Sequence, residues 1–358
     1  MADAADFQTL HEIVTAARRT LAPEHWDYVI GGAETETTVK RNRQALDSIA
    51  FRPRVLRDVS DIDSGGELFG HRLRLPVLLA PIGSMQDIVA GGGLVPARAA
   101  AEFGTIQVLS SVCEPGLEAV AAETDVPKIF QLYVRGDPPW VDEQLRRAVD
   151  AGYIAFCLTV DLDAYSRRER DIAKRHVTTG RLQVTGDANQ ALFGWEDVKR
   201  LRDLCDIPMM LKGIATAEDA ALAVAHGIDA VWVSNHGGRQ LDHGRGGLDV
   251  LPEVVAEVAG RARIVFDGGI MRGTDVVKAM ARGADAVAIG RLQGLAAGAA
   301  GAAGIVRALE LLEAETRIAL ALLGVTGYAE LDDSHLHPAL PVTDPHVLSA
   351  FPLLDEGY

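Results

Sequence analysis

Eight short, continuously apolar runs recur between residues 75 and 290, separated by longer amphipathic segments, and this alternation restricts the fold more than any other feature of the chain. The runs cover residues 75–81, 106–111, 128–134, 154–161, 208–213, 230–235, 263–268 and 286–290. None alternates apolar with polar, so each reads as a strand buried on both faces. The intervening segments 141–151, 216–226 and 274–282 have helical spacing. The last two open on Thr216 and Thr274, predicted N-caps, carry acidic residues in the first turn and close near Gly227 and Gly283. Eight strand-helix units in a region of this size predict a (β/α)8 barrel rather than an open doubly wound sheet. The connection from residue 161 to 208 is about twice as long as its neighbours and is predicted to form a lid over a site.

The rest of the chain flanks that barrel, giving one domain over residues 1–358: a helical preface at 1–72, the barrel at 73–330 and a tail at 331–358. Phe7, Leu10, Ile13, Val14, Ala17 and Leu21 lie on one helical face, and Pro23 ends that helix. The stretch WDYVIGGA at 26–33 contains a Gly31-Gly32 break that leaves Tyr28 on an irregular segment, its phenol either packed or aimed into a pocket. Residues 39–48 read as a further helix, 51–63 as extended chain and 309–323 as a closing helix, while the Pro-rich tail from Pro338 docks on the barrel or on a neighbouring subunit.

With 48% hydrophobic residues the chain can bury a large core, and its net charge of −15 argues against nucleic acid or an anionic membrane as partner. A small anionic substrate then requires a local basic pocket. Cys113, Cys157 and Cys205 show neither a CxxC pair nor metal-ligand spacing, so no metal site is expected and a reduced, cytoplasmic setting is. The N-terminus lacks the basic and apolar regions of a signal peptide, and no apolar run, residues 292–303 included, is expected to cross a bilayer.

Polar residues and glycines collect where each apolar run ends, the end of a parallel barrel strand at which sites are built. In order they are Pro81, Ile82 and Gly83; Ser110 and Ser111; Gln131 and Tyr133; Thr159 and Asp161; Lys212 and Gly213; Ser234 and His236; Asp267, Gly268 and Gly269; Gly290 and Arg291. A single histidine near a strand end is most often structural, but eight converging sets are not explained by stability. The glycines of DGGIMRG (267–273) and IGR (289–291) let backbone amides approach a phosphate in the last two units. Lys212 ends a buried run, where its ammonium can neutralise an anionic ring. Asp161 can orient His236 as a base, Arg168 and Arg239 offer two guanidinium forks for a carboxylate, and Tyr28 and Tyr133 add hydroxyls.

These residues carry a resemblance. SNHGGRQLD at 234–242, together with FQLYV, LTVD, SRRE, LKG, DGG, RGTDV and IGR in that family's order or places, resembles the FMN-dependent α-hydroxy acid oxidases and dehydrogenases, over a span from about Tyr28 to the closing helix. The resemblance implies an FMN enzyme that converts an (S)-2-hydroxy acid to the 2-oxo acid, with oxygen or another electron acceptor. It implies that His236, paired with Asp161, takes a proton while two electrons pass to flavin N5, as hydride or through a carbanion. Arg168, Arg239 and Tyr28 would hold the substrate carboxylate, Tyr133 the hydroxyl, and Lys212 the reduced flavin. Pro81, Ile82, Gly83, Ser110, Gln131, Thr159, Ser234 and Asp267 would surround the ring, with Gly268, Gly269, Arg272, Gly290 and Arg291 at its phosphate. A homotetramer is implied by analogy.

The sequence departs from the family pattern at Met271, where an arginine is common, at Gly83, more often alanine, at Val112 and Tyr165, and in a shorter lid at 172–194. The shorter lid makes a more open site and a substrate larger than glycolate, of the mandelate kind, the expectation, while Gly83, next to the flavin, bears on reactivity with oxygen. Two other readings stay open: an FMN enzyme acting on a peptide-derived or other biosynthetic intermediate, and a non-catalytic flavin-binding protein.

Overall fold

All eight apolar runs are strands of one closed parallel barrel: β1 Val77–Leu79, β2 Gln107–Ser110, β3 Lys128–Leu132, β4 Ala155–Thr159, β5 Met209–Ile214, β6 Ala230–Val233, β7 Arg263–Phe266 and β8 Ala286–Ile289, with β8 pairing back onto β1. The computed structural model describes residues 4–182 and 188–358. Cross-strand register sets the strand ends at a common level, Ser110 opposite Gln131 and Thr159 opposite Lys212. Inside the barrel Leu78, Val108, Ile129, Cys157, Met210, Trp232 and Val265 pack together, and Leu68 and Leu73 of the hairpin Gly66–Leu68/His71–Leu73 join them. The hairpin therefore plugs the amino-terminal end and leaves the carboxyl end as the open one.

The preface carries one helix and three short strands beyond those its sequence pattern indicates. Among its described residues it has three α-helices, α1 Leu10–Thr20, α2 Pro23–Ile30 and α3 Thr37–Asp47, followed by a strand Ile49–Phe51 paired antiparallel with Leu336–Pro338 of the tail and then by the hairpin. Pro23 begins α2 as well as following α1, because a missing N–H is harmless at a first helical position. Tyr28 consequently sits on a helix rather than an irregular segment.

Thr216 caps its helix as expected, accepting from the Asp219 amide. Thr274 does not: the helix Gly273–Ala281 begins after Arg272, and the Asp275 carboxylate takes the amides of Met271 and Arg272, both at 3.0 Å. Arg43 holds that carboxylate in place at 2.8 Å. The closing helix runs from Arg291 to Leu323 rather than from 309, interrupted at Ala300-Gly301. By length and composition it could cross a membrane, which the apolar-run reading did not anticipate, yet Leu292, Leu295, Leu309 and Leu312 are fully buried and it packs along α1. The long loop after β4 holds short helices at Glu169–Ala173, Thr179–Leu182 and Ala188–Leu192; within the lid at 172–194, residues 183–187 lie outside the described residues.

Candidate active site

The carboxyl ends of the strands enclose a cavity with an empty volume of about 1460 Å³, counting the space open at its mouth. His236 projects into it from the turn after β6. His236, Gly237 and Gly238 all have left-handed backbones (φ 58, 63 and 75°), which glycine adopts freely and histidine at a cost of roughly 1 kcal/mol or more. The strained turn aims the imidazole so that Nδ1 lies 2.9 Å from Asp161 Oδ1 and Nε2 lies 3.3 Å from the Tyr133 hydroxyl. Burial lowers the His236 pKa, and Asp161 opposes the shift only in part. Burial alone would raise the Asp161 carboxyl, but the charge that His236 takes on in acid, the hydrogen bond between the two and the Lys212 ammonium hold it below the usual carboxylate range. The ring is thus neutral, its Nδ1–H donated to Asp161 and its Nε2 left as an acceptor. Gly213 permits this pairing: its φ is 116°, and a Cβ there would stand 2.7 Å from that of Asp161.

Two guanidiniums lie beside the base. Arg239 Nη1 donates to the carbonyls of Tyr28 (2.7 Å) and Gly31 (2.9 Å), and its Cζ sits 4.9 Å from the Tyr28 ring. Burial, then the charge of Arg168, depresses its pKa. Arg168 is itself buried, stacks 4.5 Å over Tyr165 and has an Nε with no hydrogen-bond partner. Two like charges on one cavity, Arg168 buried and Arg239 half-buried, are stabilised by an anion between them. The Tyr28 hydroxyl donates to the Gly83 carbonyl at 2.6 Å.

On the other side, Lys212 Nζ lies 3.2 Å from Ser234 Oγ and 3.6 Å from Asp267 Oδ2, and Ser234 Oγ donates to Asp267 Oδ1 at 2.8 Å. Burial would lower the lysine pKa, but Asp267 and Asp161 raise it, so the ammonium stays charged. Gln131 Nε2 donates to Thr159 Oγ1 at 2.8 Å, while its Oε1 is buried without a partner. Ser110, Gln131, Thr159 and Ser234 are all buried. Pro81, Ile82 and Gly83 line the wall, and a Cβ on Gly83 would meet Val112 Cγ2 at 2.7 Å.

Gly268 and Gly269 (φ 125 and 93°) with Gly290 line the far end beside Arg291, whose guanidinium donates to the carbonyls of Ile30 and Gly31. Burial, then Arg239, brings the Arg291 pKa down to about 9. Arg272 is not part of this group, contrary to expectation. It turns outward to Glu315 at 2.6 Å, donates to the Ala350 carbonyl and lies over Phe351, while Met271 faces the cavity.

This donor set fits FMN: a glycine cradle with one arginine for the phosphate, a buried ammonium for the ring, and an orphan amide oxygen that accepts an N–H.

Much of SNHGGRQLD proves to be bracing. Asn235 and Asn42 bond reciprocally, Gln240 Nε2 donates to the Asp161 carbonyl at 2.9 Å, and Asp242 caps α3 from a distance by accepting from Thr35 and from the Thr38 amide at 2.8 Å. Arg135, Arg181 and Gln190, outside the strand-end sets the sequence pattern singles out, also line the cavity. For Arg135 the signal was available, since it stands two residues beyond Tyr133 in the same strand-end loop.

Comparison with known proteins places these features. A model of the FMN-dependent dehydrogenase family matches residues 17–193 and 174–338. Glycolate oxidase 1 of Zea mays is 38% identical over 95% of this chain and 97% of its own length. L-lactate oxidase of a Nostoc species is 40% identical over 92% of this chain and 97% of its own. A solved mandelate oxidase mutant with the C4a-OH-FMN adduct superposes with a TM-score of 0.85 at 37% identity, covering 93% of this chain and all of that one.

Proposed function

The chain belongs to the FMN-dependent dehydrogenase family as an FMN-dependent 2-hydroxy acid oxidase or dehydrogenase, and we propose that it oxidises an (S)-2-hydroxy acid larger than glycolate, of the mandelate kind, with His236 as the base. The observation that carries this reading is a neutral, Asp161-bound imidazole facing the same cavity as two carboxylate-seeking arginines. Gly83, Gln131, Lys212 and Ser234 would hold the flavin ring, and Gly268, Gly269, Gly290 and Arg291 its phosphate. When bound, FMN supplies the two-electron acceptor.

The substrate carboxylate docks on Arg168 and Arg239, which fixes the α-carbon relative to His236. Tyr133 bonds the substrate hydroxyl. His236 Nε2 takes the proton as the alcohol is oxidised, from oxygen or from carbon according to route, and Asp161 stabilises the resulting imidazolium at Nδ1. Because His236 and Asp161 are largely withdrawn from solvent, each charge interaction there is stronger than in bulk water. The short lid supports a substrate with bulk beyond the hydroxyl carbon. The buried arginine pair supports a free acid over a peptide-derived substrate.

Anaerobic mixing with glycolate, lactate and (S)-mandelate checks the reading, and admitting air then shows whether oxygen serves as acceptor. Faster flavin bleaching by mandelate is expected; preference for glycolate contradicts the size assignment. The exposed tail residues Leu340 and Val342 support assembly into a homo-oligomer, which light scattering measures.

A further inference from the structure

The cavity holds more positive charge than a simple 2-hydroxy acid and FMN require. Among the described residues lining it, Arg135, Arg168, Arg181, Lys212, Arg239 and Arg291 are cationic, and Asp267 is the one carboxylate. This surplus lies inside a chain of net charge −15, so it is local and specific. Lys212 is answered by Asp267 and Ser234, Arg291 lies at the phosphate end, and Arg168 with Arg239 accounts for one substrate carboxylate. Arg181 lies flat over the Tyr165 ring at 4.1 Å.

Arg135 is left. It is half-buried, and its guanidinium makes one long hydrogen bond, Nη2 to the Ser111 carbonyl at 3.4 Å. Its Nε is shut away from solvent with no acceptor, and no carboxylate pairs with it among the described residues. Burial pushes its pKa down with no opposing charge. The segment bearing it is nonetheless pinned by the lid: Gln190 accepts from the Val134 amide at 2.8 Å, and Asn189 donates to the Arg135 carbonyl at 3.1 Å. A held guanidinium with no counter-ion among the described residues, facing a substrate cavity, is a site completed by an anionic ligand.

We propose that the substrate is a 2-hydroxy acid whose side chain carries a second carboxylate, and that Arg135 is the specificity residue that receives it. This inference rests on the functional reading above and refines its substrate class. An aryl ring or an alkyl chain serves equally as the spacer; the determinant is the distal negative charge. Arg168 and Arg239 fix the carboxylate next to the reacting carbon, and Arg135 reads the far end.

The test uses FMN-loaded enzyme under anaerobic conditions with two pairs matched in skeleton: 2-hydroxyglutarate against 2-hydroxyvalerate, and 4-carboxymandelate against mandelate. At least one diacid should have a flavin-reduction kcat/KM ~10-fold or more above its monoacid partner, the scale of a charge-assisted hydrogen bond. Arg135→Gln should collapse that ratio and Arg135→Lys should keep part of it. Titration with the unreactive diacid 2-oxoglutarate, followed by the flavin absorbance, should show a Kd ~10-fold weaker in Arg135→Gln. Equal use of diacid and monoacid by the wild type, or a preference untouched in Arg135→Gln, overturns the inference while leaving the hydroxy-acid reading intact. A flavin that none of the four acids reduces overturns both.

Discussion

On the wall built from the loops after β5 to β8, every charged side chain meets a partner from the chain itself. Lys212 has Ser234 and Asp267, and Arg291 has the carbonyls of Ile30 and Gly31. On the wall built from the loops after β3 and β4, Arg135 and Arg168 each keep a buried Nε without an acceptor, and Asp161 keeps a buried Oδ2 in the same condition. Around Lys212 and Arg291 the first wall is a satisfied network, preorganised before any small molecule arrives. The second is finished by its ligand. A cofactor that stays through many turnovers suits the partnered charges of Lys212 and Arg291, and a substrate that must come and go suits the unpartnered Arg135 and Arg168, with His236 and Arg239 reaching it from the opposite side.

Breaking the second wall should therefore cost turnover but not stability. Arg168→Leu is expected to lower kcat/KM for the hydroxy acid by ~10- to 100-fold while the protein keeps its flavin, since one fork of the carboxylate clamp is gone. Its Tm should not fall, because a buried charge with an unpartnered Nε is removed. A clear drop in Tm would erase the distinction between the walls.

The framework that supports the first wall behaves in the opposite way. Asp242→Ala removes the distant cap of α3, with bonds of 2.7 to 3.0 Å to Thr35 and Thr38, and should destabilise the fold by about 1–2 kcal/mol in urea. The Asp242 carboxyl is held well below its ordinary range by those bonds, after burial's opposing effect. Its contribution is present above the ordinary carboxylate pKa and fades as pH falls toward the depressed value. The gap between wild type and variant should then narrow in acid.

The smallest effect is on pH dependence. With its pKa lowered by burial, His236 stays neutral below its ordinary value of 6.5, so the acid limb of flavin reduction should lie under that pH. Asp161→Asn removes the chief influence raising that pKa. The limb should move further down and the plateau rate should fall with the weaker base, which rapid-mixing rates across pH measure.

Strands, and hence the site's position, were legible because parallel barrel strands are apolar on both faces and announce themselves without partners. His236 and Asp161 were legible for the same reason, each following a strand end directly. Arg272 was misassigned because its direction depends on Glu315, brought close only by the closing helix. Tyr28 was placed on irregular chain because Gly31 and Gly32 drew attention from Pro23, a helix starter. The strands at 49–73 escaped detection because each is three residues long and paired across the chain or a tight turn. Arg135 is legible in sequence only as an arginine two residues beyond Tyr133; that it has no counter-ion among the described residues depends on the folded chain.

The central claim is that His236 is the base of a flavin-dependent hydroxy acid oxidation, and anaerobic stopped-flow reduction of FMN-loaded His236→Ala tests it most directly. The variant should bind FMN with an unaltered visible spectrum yet be reduced at least ~10²-fold more slowly than wild type. Reduction at a near-normal rate, with flavin bound, would contradict it.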